Sequence, residues 1–129
     1  MSATPKATRR GIWGWMLFDW SNQPFHTLIV TFFFAPYVYA EIAATPVEGQ
    51  ALWATTSAIA SIIIAILAPI LGAVADQSGP RKPWVALFGL LFVVGCFGLW
   101  TAAPSMADPT MVLIYFAIAF IGAETMLVF

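Results

Sequence analysis

The sequence predicts an all-α integral membrane protein with four transmembrane helices, and three observations lead there. Hydrophobic residues make up 61% of the 129 and charged residues 9%, with a mean hydropathy of +0.90; that leaves too little polar surface to cover a soluble globule. Apolar runs of about twenty residues, the length that crosses a hydrocarbon core roughly 30 Å thick, recur four times between connections rich in Pro and Gly. The charges are segregated, with all 5 Lys and Arg residues beside the runs on one side and none within them. The net charge of −1 averages over that segregation, and sparse, scattered bases make no nucleic-acid footprint. The expected surroundings are a lipid bilayer, with no nucleic acid partner.

Residues 1–12 read as an acid-free cytosolic tail carrying Lys6, Arg9 and Arg10. A cleaved signal peptide fits poorly, because the apolar segment that follows is too long, holds Asp19 to Gln23 in its first half and lacks a small-residue cleavage site at the right distance. The first span covers about 13–40. In a continuous α-helix Asp19, Asn22, Gln23 and His26 follow i, i+3, i+4, i+7 spacing and share a face, with Tyr37 further along it. Such a stripe has to face protein or water rather than lipid. Pro24, on the opposite side, removes a backbone bond to Trp20 and kinks the helix. The other reading makes residues 11–22 a Trp-rich interfacial segment, with Asn22 capping a shorter span that starts near Pro24. His26 reads first as a hydrogen-bonded structural residue and second as a proton carrier.

The second span, about 52–75, repeats Ala54, Ala58, Ser61, Ala65, Ala68, Gly72 and Ala75 every three or four residues. That makes a groove for close helix packing, with Pro69 a kink site. The third, about 84–102, carries Gly89, Gly95 and Gly98 and reads as another packing helix. Cys96 lies inside it with no second cysteine for an internal disulfide, so it reads as a small packing residue. The fourth, about 110–129, contains a single charge, Glu124. A mid-span charge costs roughly 2.5 to 3.5 kcal/mol on insertion scales, so Glu124 has a partner or a task; the bland alternative is a carboxylate snorkelling to the headgroups.

Pro46 and Gly49, then Gly79, Pro80 and Pro83, then Pro104 and Pro109 supply the helix stops between spans. Lys6, Arg9, Arg10, Arg81 and Lys82 lie on one side of the four spans, and Glu41, Glu48 and Asp108 on the other. The positive-inside tendency then puts both termini in the cytosol. Asp19 and Glu124 fall in the cytosolic third of their spans.

Between the second and third spans stand Gly72, Asp76, Gly79, Arg81 and Lys82, spaced as G-x-x-x-D, two residues, G-x-R and a second base. The segment resembles the signature loop of the major facilitator superfamily (MFS), departing from it at Gln77, where a base is common, and at Pro80, where an arginine often stands. Phe18-Asp19-Trp20-Ser21-Asn22 in the first span, and Ile121-Gly122-Ala123-Glu124 followed by Val128-Phe129 in the fourth, are similar to the vacuole-effluxer-like branch of that superfamily.

The resemblance covers nearly all of the chain and implies a twelve-helix fold of two six-helix bundles, whose first and fourth helices line a central cavity. Residues 13–129 would then be a truncated N-terminal bundle, completed by missing C-terminal helices of the same transporter. The implied activity is secondary active transport of a small polar solute by alternating access, with amino acid efflux the implied class. Asp19, Asn22, Gln23, His26 and Glu124 would serve the substrate or proton path, and Gly72, Asp76, Gly79, Arg81 and Lys82 the gating loop. No cofactor, metal cluster or enzymatic site is expected. A plasma (inner) membrane and a vacuole-type membrane remain equal readings. Two alternatives stand beside the transporter: a non-transporting membrane assembly subunit that binds a partner helix in the small-residue groove, and a small four-span dimeric exporter. Exporters of that kind carry their key acid near the middle of the first span, unlike Asp19.

Overall fold

The computed structural model describes residues 8–79 and 81–129, so most of the expected leader, with Lys6, and Pro80 of the loop lie outside the described residues. Among the described residues all regular structure is helical. The chain is an all-α membrane protein: Arg9–Ile42, Pro46–Gln77 and Lys82–Thr101 are long and apolar enough to cross a bilayer, and Thr110–Met126 is a shorter apolar helix of 17 residues. At 1.5 Å per residue the last reaches about 25 Å. Two compact units are present, residues up to Pro36 and residues from Tyr37, and each is described by itself.

In the first unit, helix α1 (Arg9–Pro24) starts where extended Thr8 accepts a hydrogen bond from the Gly11 N–H at 3.2 Å. Thr at an N-cap satisfies one of the four N–H groups that a helix start leaves open. Four residues of the expected tail, Arg9 to Ile12, are therefore helical. Asn22 lies inside α1, which removes the reading of Asn22 as the cap of a shorter span. At Pro24, which has no N–H to give, the backbone stays helical but changes register, and Phe25–Phe32 is π-helical. The Phe33 N–H reaches back five residues to the Leu28 carbonyl at 2.8 Å, and the Thr31 hydroxyl to the His26 carbonyl at 3.0 Å. A four-residue α2 (Phe34–Tyr37) carries the chain into the second unit, which begins with a further π segment, Val38–Ile42. A π turn takes more residues than the 3.6 of an α-turn, so the polar stripe does not run straight on to Tyr37.

In the second unit, helix α3 (Pro46–Ser78) has 33 residues, about 50 Å. Pro46 and Gly49, expected to stop helices, instead open this one. Thr45 accepts from the Glu48 N–H at 3.2 Å, Pro46 takes a first-turn position where its missing N–H costs nothing, and Gly49 lets α3 approach the backbone of Val38 and Tyr39. A Cβ there would stand 2.9 Å from the Val38 carbonyl oxygen. Pro69 is carried within α3. The helix stops at Gly79, whose φ of 79° favours glycine.

Helix α4 (Lys82–Gly98) ends in a 3₁₀ turn, Leu99–Thr101. Before α5 (Thr110–Met126), the Asp108 carboxylate accepts from the Thr110 N–H at 2.9 Å. Hydrogen bonds from Thr110, its side chain first and then its backbone, hold the Asp108 carboxyl below the usual range. The Ser105 N–H donates to the Glu41 carbonyl at 2.6 Å, tying this connection to the end of the second π segment.

Helix α5 is the centre of the unit, with Val112, Phe116, Ala119 and Ala123 fully buried. Against α4 it runs antiparallel: Gly95 lies on the Ala119 backbone, Gly98 on the Tyr115 ring and Gly122 on the backbone of Phe88 and Phe92. Without a hydrophobic drive in lipid, such glycine contacts supply the close backbone approach that binds helices together. Trp84 and Phe88 stack on Phe129 at the far end of this seam, with ring centroids 5.9 Å apart in each pair. Against α3 it runs parallel, with Trp53 stacked on Phe116 at 4.0 Å.

Most of the small-residue groove of α3 does not pack closely on another helix. Ala54, Ala58, Ser61 and Ala65 are exposed, and nothing lies within 4 Å of a Cβ built on Gly72. Helix α3 buries Trp53 and Ala60 and, from the expected groove, Ala75. The Trp53 stripe lies one residue, about 100°, away from the expected one, because Trp53 offers α5 a ring to stack on and Ala54 offers only a methyl.

Candidate functional site

Glu124 owes its direction to Gly122. The glycine seats α5 on the α4 backbone, and two residues later the helix has turned about 200°, so Glu124 projects away from α4 and toward α3. There it lines an open cleft of about 330 Å³ together with Ser61, Ile64, Ala65 and Phe120. Ser61 and Ala65, and Phe120 and Glu124, are i, i+4 pairs, so one face of each helix forms a wall. Phe120 is steadied by stacking on Phe116 at 5.7 Å, which in turn stacks on Trp53.

The chemistry of the cleft is asymmetric. The Glu124 carboxyl group accepts hydrogen bonds, the Ser61 hydroxyl both donates and accepts, and Phe120 and Ile64 add apolar surface. Sequence reasoning found Glu124 as a lone charge in an apolar span but took Ser61 for packing, because a serine in a row of small residues carries no signal of its own until the structure sets it beside Glu124. A second cleft of about 310 Å³ on the same seam is lined by Leu52, Thr56, Ile59, Leu113 and Ala117 among others, and by Thr110, whose side chain bonds Asp108. Its Thr56 hydroxyl is already used, donating to the Leu52 carbonyl at 2.8 Å, which leaves that cleft with less to offer a polar solute.

The polar residues of the first unit occupy different environments. Asn22 is 2% exposed with its side-chain oxygen unpaired, while Asp19 and Gln23 are exposed. His26 is half-buried, its ring edge-on to Phe25 at 5.5 Å.

In the α3–α4 connection, Asp76 and Arg81 are brought together across the Gly79 turn. The Arg81 guanidinium donates to the Asp76 carboxylate at 2.8 Å, with Arg81 58% and Asp76 68% exposed. Lys82 opens α4 and is exposed, and Gly72 lies one turn before Asp76 on α3. Among the described residues no three His, Cys, Asp or Glu side chains converge as a metal site would require.

No family model and no solved structure matches the chain. It is 35% identical over 78 residues to a protein of Bacillus subtilis (strain 168) described as the uncharacterized MFS-type transporter YxiO. The match takes in 57% of this chain and 18% of the relative, so the chain spans well under two thirds of that relative's length. The likeness supports a membrane transporter of the general MFS kind.

Proposed function

We propose that this chain is part of a secondary transporter that moves a small polar solute by alternating access. The observation that carries the reading is Glu124, a carboxylate on an otherwise uncharged apolar helix, facing Ser61 across an open cleft. An intramembrane acid is expensive and marks a solute or ion path. The 35% match to an MFS-type transporter points the same way.

In this reading Glu124 belongs to the path, and Asp19, Asn22, Gln23 and His26 are the polar positions that the first helical column contributes to it. Gly72, Asp76, Gly79, Arg81 and Lys82 form a gating loop, and further helices of the transporter complete this bundle and supply the second. The finer likeness to the vacuole-effluxer-like branch makes amino acids and similar metabolites the solutes to try first.

The test is export of labelled amino acids from cells carrying the intact gene, with wild type or Glu124→Gln. The variant keeps the shape and removes the charge, so it should reach the membrane at the wild-type level and lose at least about tenfold in export, about 1.4 kcal/mol of barrier. Equal export rates at equal membrane levels would remove Glu124 from the path.

The open small-residue face of α3 supports a second reading, a non-transporting assembly subunit whose groove receives a partner helix. An assembly role is sensitive to Ala58→Leu and indifferent to Glu124→Gln, the reverse of the transporter reading.

A further inference from the structure

We propose that the face of α1 formed by Arg9, Trp13, Met16 and Trp20, with Arg10 beside its head, binds the phosphodiester headgroup of an anionic phospholipid in the leaflet that holds the head of the chain. This goes beyond the transporter reading and stands without it, since it needs only that the chain spans a membrane. The four residues follow i, i+4, i+7, i+11 spacing and share one side of the helix. All are exposed, Trp13 by 63% and Trp20 by 73%, as is Arg10.

Charge sets the depth of this face in the bilayer. From Trp20 to Ala40 the helical column Arg9–Ile42 carries no charged residue, and about 20 residues cross a hydrocarbon core. Trp20 then stands at the edge of the core, and the residues from Arg9 to Asp19 lie at the level of the headgroups, where Trp rings concentrate. An indole suits that level because its body is apolar and its N–H donates to an ester or phosphate oxygen.

Charge also selects the headgroup. The first turn of α1 holds two cations and no acid. Cations there oppose the helix dipole, so Arg9 and Arg10 do not stabilise α1 by themselves, and an anion beside them offsets that repulsion. A guanidinium presents a planar fork of donors that matches two phosphate oxygens at once, and its apolar stem can lie along Trp13 while the head stays in water. Asp19, the one acid among the described residues of α1, is ten residues, about 15 Å, along the axis from Arg9 and about 100° round from Trp20. A zwitterionic headgroup offers the same phosphate but brings a cation of its own, which the two guanidinium groups repel. A small soluble anion has no acyl chain to lie on Met16 and Trp20.

The experiment titrates the purified protein in detergent micelles with phosphatidylglycerol and, separately, with phosphatidylcholine of the same acyl chains, and native mass spectrometry counts the lipids retained. Wild type should hold phosphatidylglycerol at least tenfold more tightly, with the preference shrinking as salt rises. Arg9→Gln combined with Arg10→Gln should bring phosphatidylglycerol to within about twofold of phosphatidylcholine, in keeping with what two bases contribute near an anionic surface. The corresponding Lys pair should keep part of the preference. Trp13→Leu with Trp20→Leu should weaken both lipids several-fold, because the rings address the ester region the two share. Arg81→Gln with Lys82→Gln, which removes two bases outside α1, should leave the preference intact. Circular dichroism and unfolding midpoints establish that each variant is folded.

Equal retention of the two lipids by wild type overturns the site, and is the result expected if another helix of the same protein covers this face. A preference that survives in the folded Arg9→Gln, Arg10→Gln protein overturns it as well. Loss of the preference in Arg81→Gln, Lys82→Gln alone would overturn the α1 site and move the lipid to the α3–α4 connection.

Discussion

At the scale of single residues, the Asp76–Arg81 pair shows how magnitude separates a local contact from a gate. The two side chains meet at 2.8 Å, yet both are more than half exposed, and exposed pairs are worth about 1 kcal/mol at most. If the pair only tidies the turn at Gly79, Asp76→Asn costs no more than that in stability and nothing in transport. If Asp76 also holds the gating loop closed, export should fall about tenfold, or about 1.4 kcal/mol, while the unfolding midpoint barely moves. Comparing export with unfolding in the same variant checks this, and unchanged export would leave Asp76 with its local role alone. Both charges were legible in the sequence because their positions match a known loop pattern. Ser61 was not, since a serine in a row of alanines is small enough to pack and polar enough to bind. Only the direction of Glu124 across from it decides between the two.

At the scale of elements, the seam between α4 and α5 rests on glycines that fill different amounts of space. A Cβ on Gly95 or Gly122 would press on backbone, of Ala119 in one case and Phe92 in the other, the latter at 2.6 Å. Backbone in a packed helix pair cannot step aside, and overpacking of this kind costs typically 1 to 3 kcal/mol. Gly89 meets only the Met126 sulfur, at 3.9 Å, an ordinary contact. Gly89→Ala should therefore be neutral or gain up to about 1 kcal/mol from helix propensity, while Gly95→Ala and Gly122→Ala lose stability, as measured by unfolding in mixed micelles. Equal stability of all three variants would contradict the close seam. The existence of α3, α4 and α5 could be read from run length, but two features could not. The start of α3 was hidden because Pro46 and Gly49 read as breakers until Thr45 is seen to cap the helix. The π segments were hidden because hydropathy records which faces are apolar and says nothing of whether an N–H reaches back four residues or five.

At the scale of the whole molecule, the charges and the packing of the second unit make one argument about sidedness. Helices α3 and α5 run parallel with α4 between them in sequence and opposite in direction, so the starts of α3 and α5 share one end of the unit. The Ser105 to Glu41 hydrogen bond and the contact of Gly49 with Val38 and Tyr39 keep Glu41 and Glu48 at that end, together with Asp108 just before α5. Trp100, 89% exposed at the close of α4, suits the interfacial aromatic belt there. Arg81 and Lys82 stand at the opposite end, between α3 and α4. Bases favour the cytosolic side of a membrane protein, so we predict that the Glu48 end faces away from the cytosol and the Lys82 end faces into it. In a Cys96→Ala background, Glu48→Cys should react with an impermeant maleimide added to intact cells, and Lys82→Cys should react only after the membrane is opened. Acids contribute little to orientation, so the outcome depends on Arg81, Lys82 and the bases at the head of the chain. Labelling of Lys82→Cys from outside with Glu48→Cys protected would reverse the orientation and move the Asp76–Arg81 loop to the other side of the membrane.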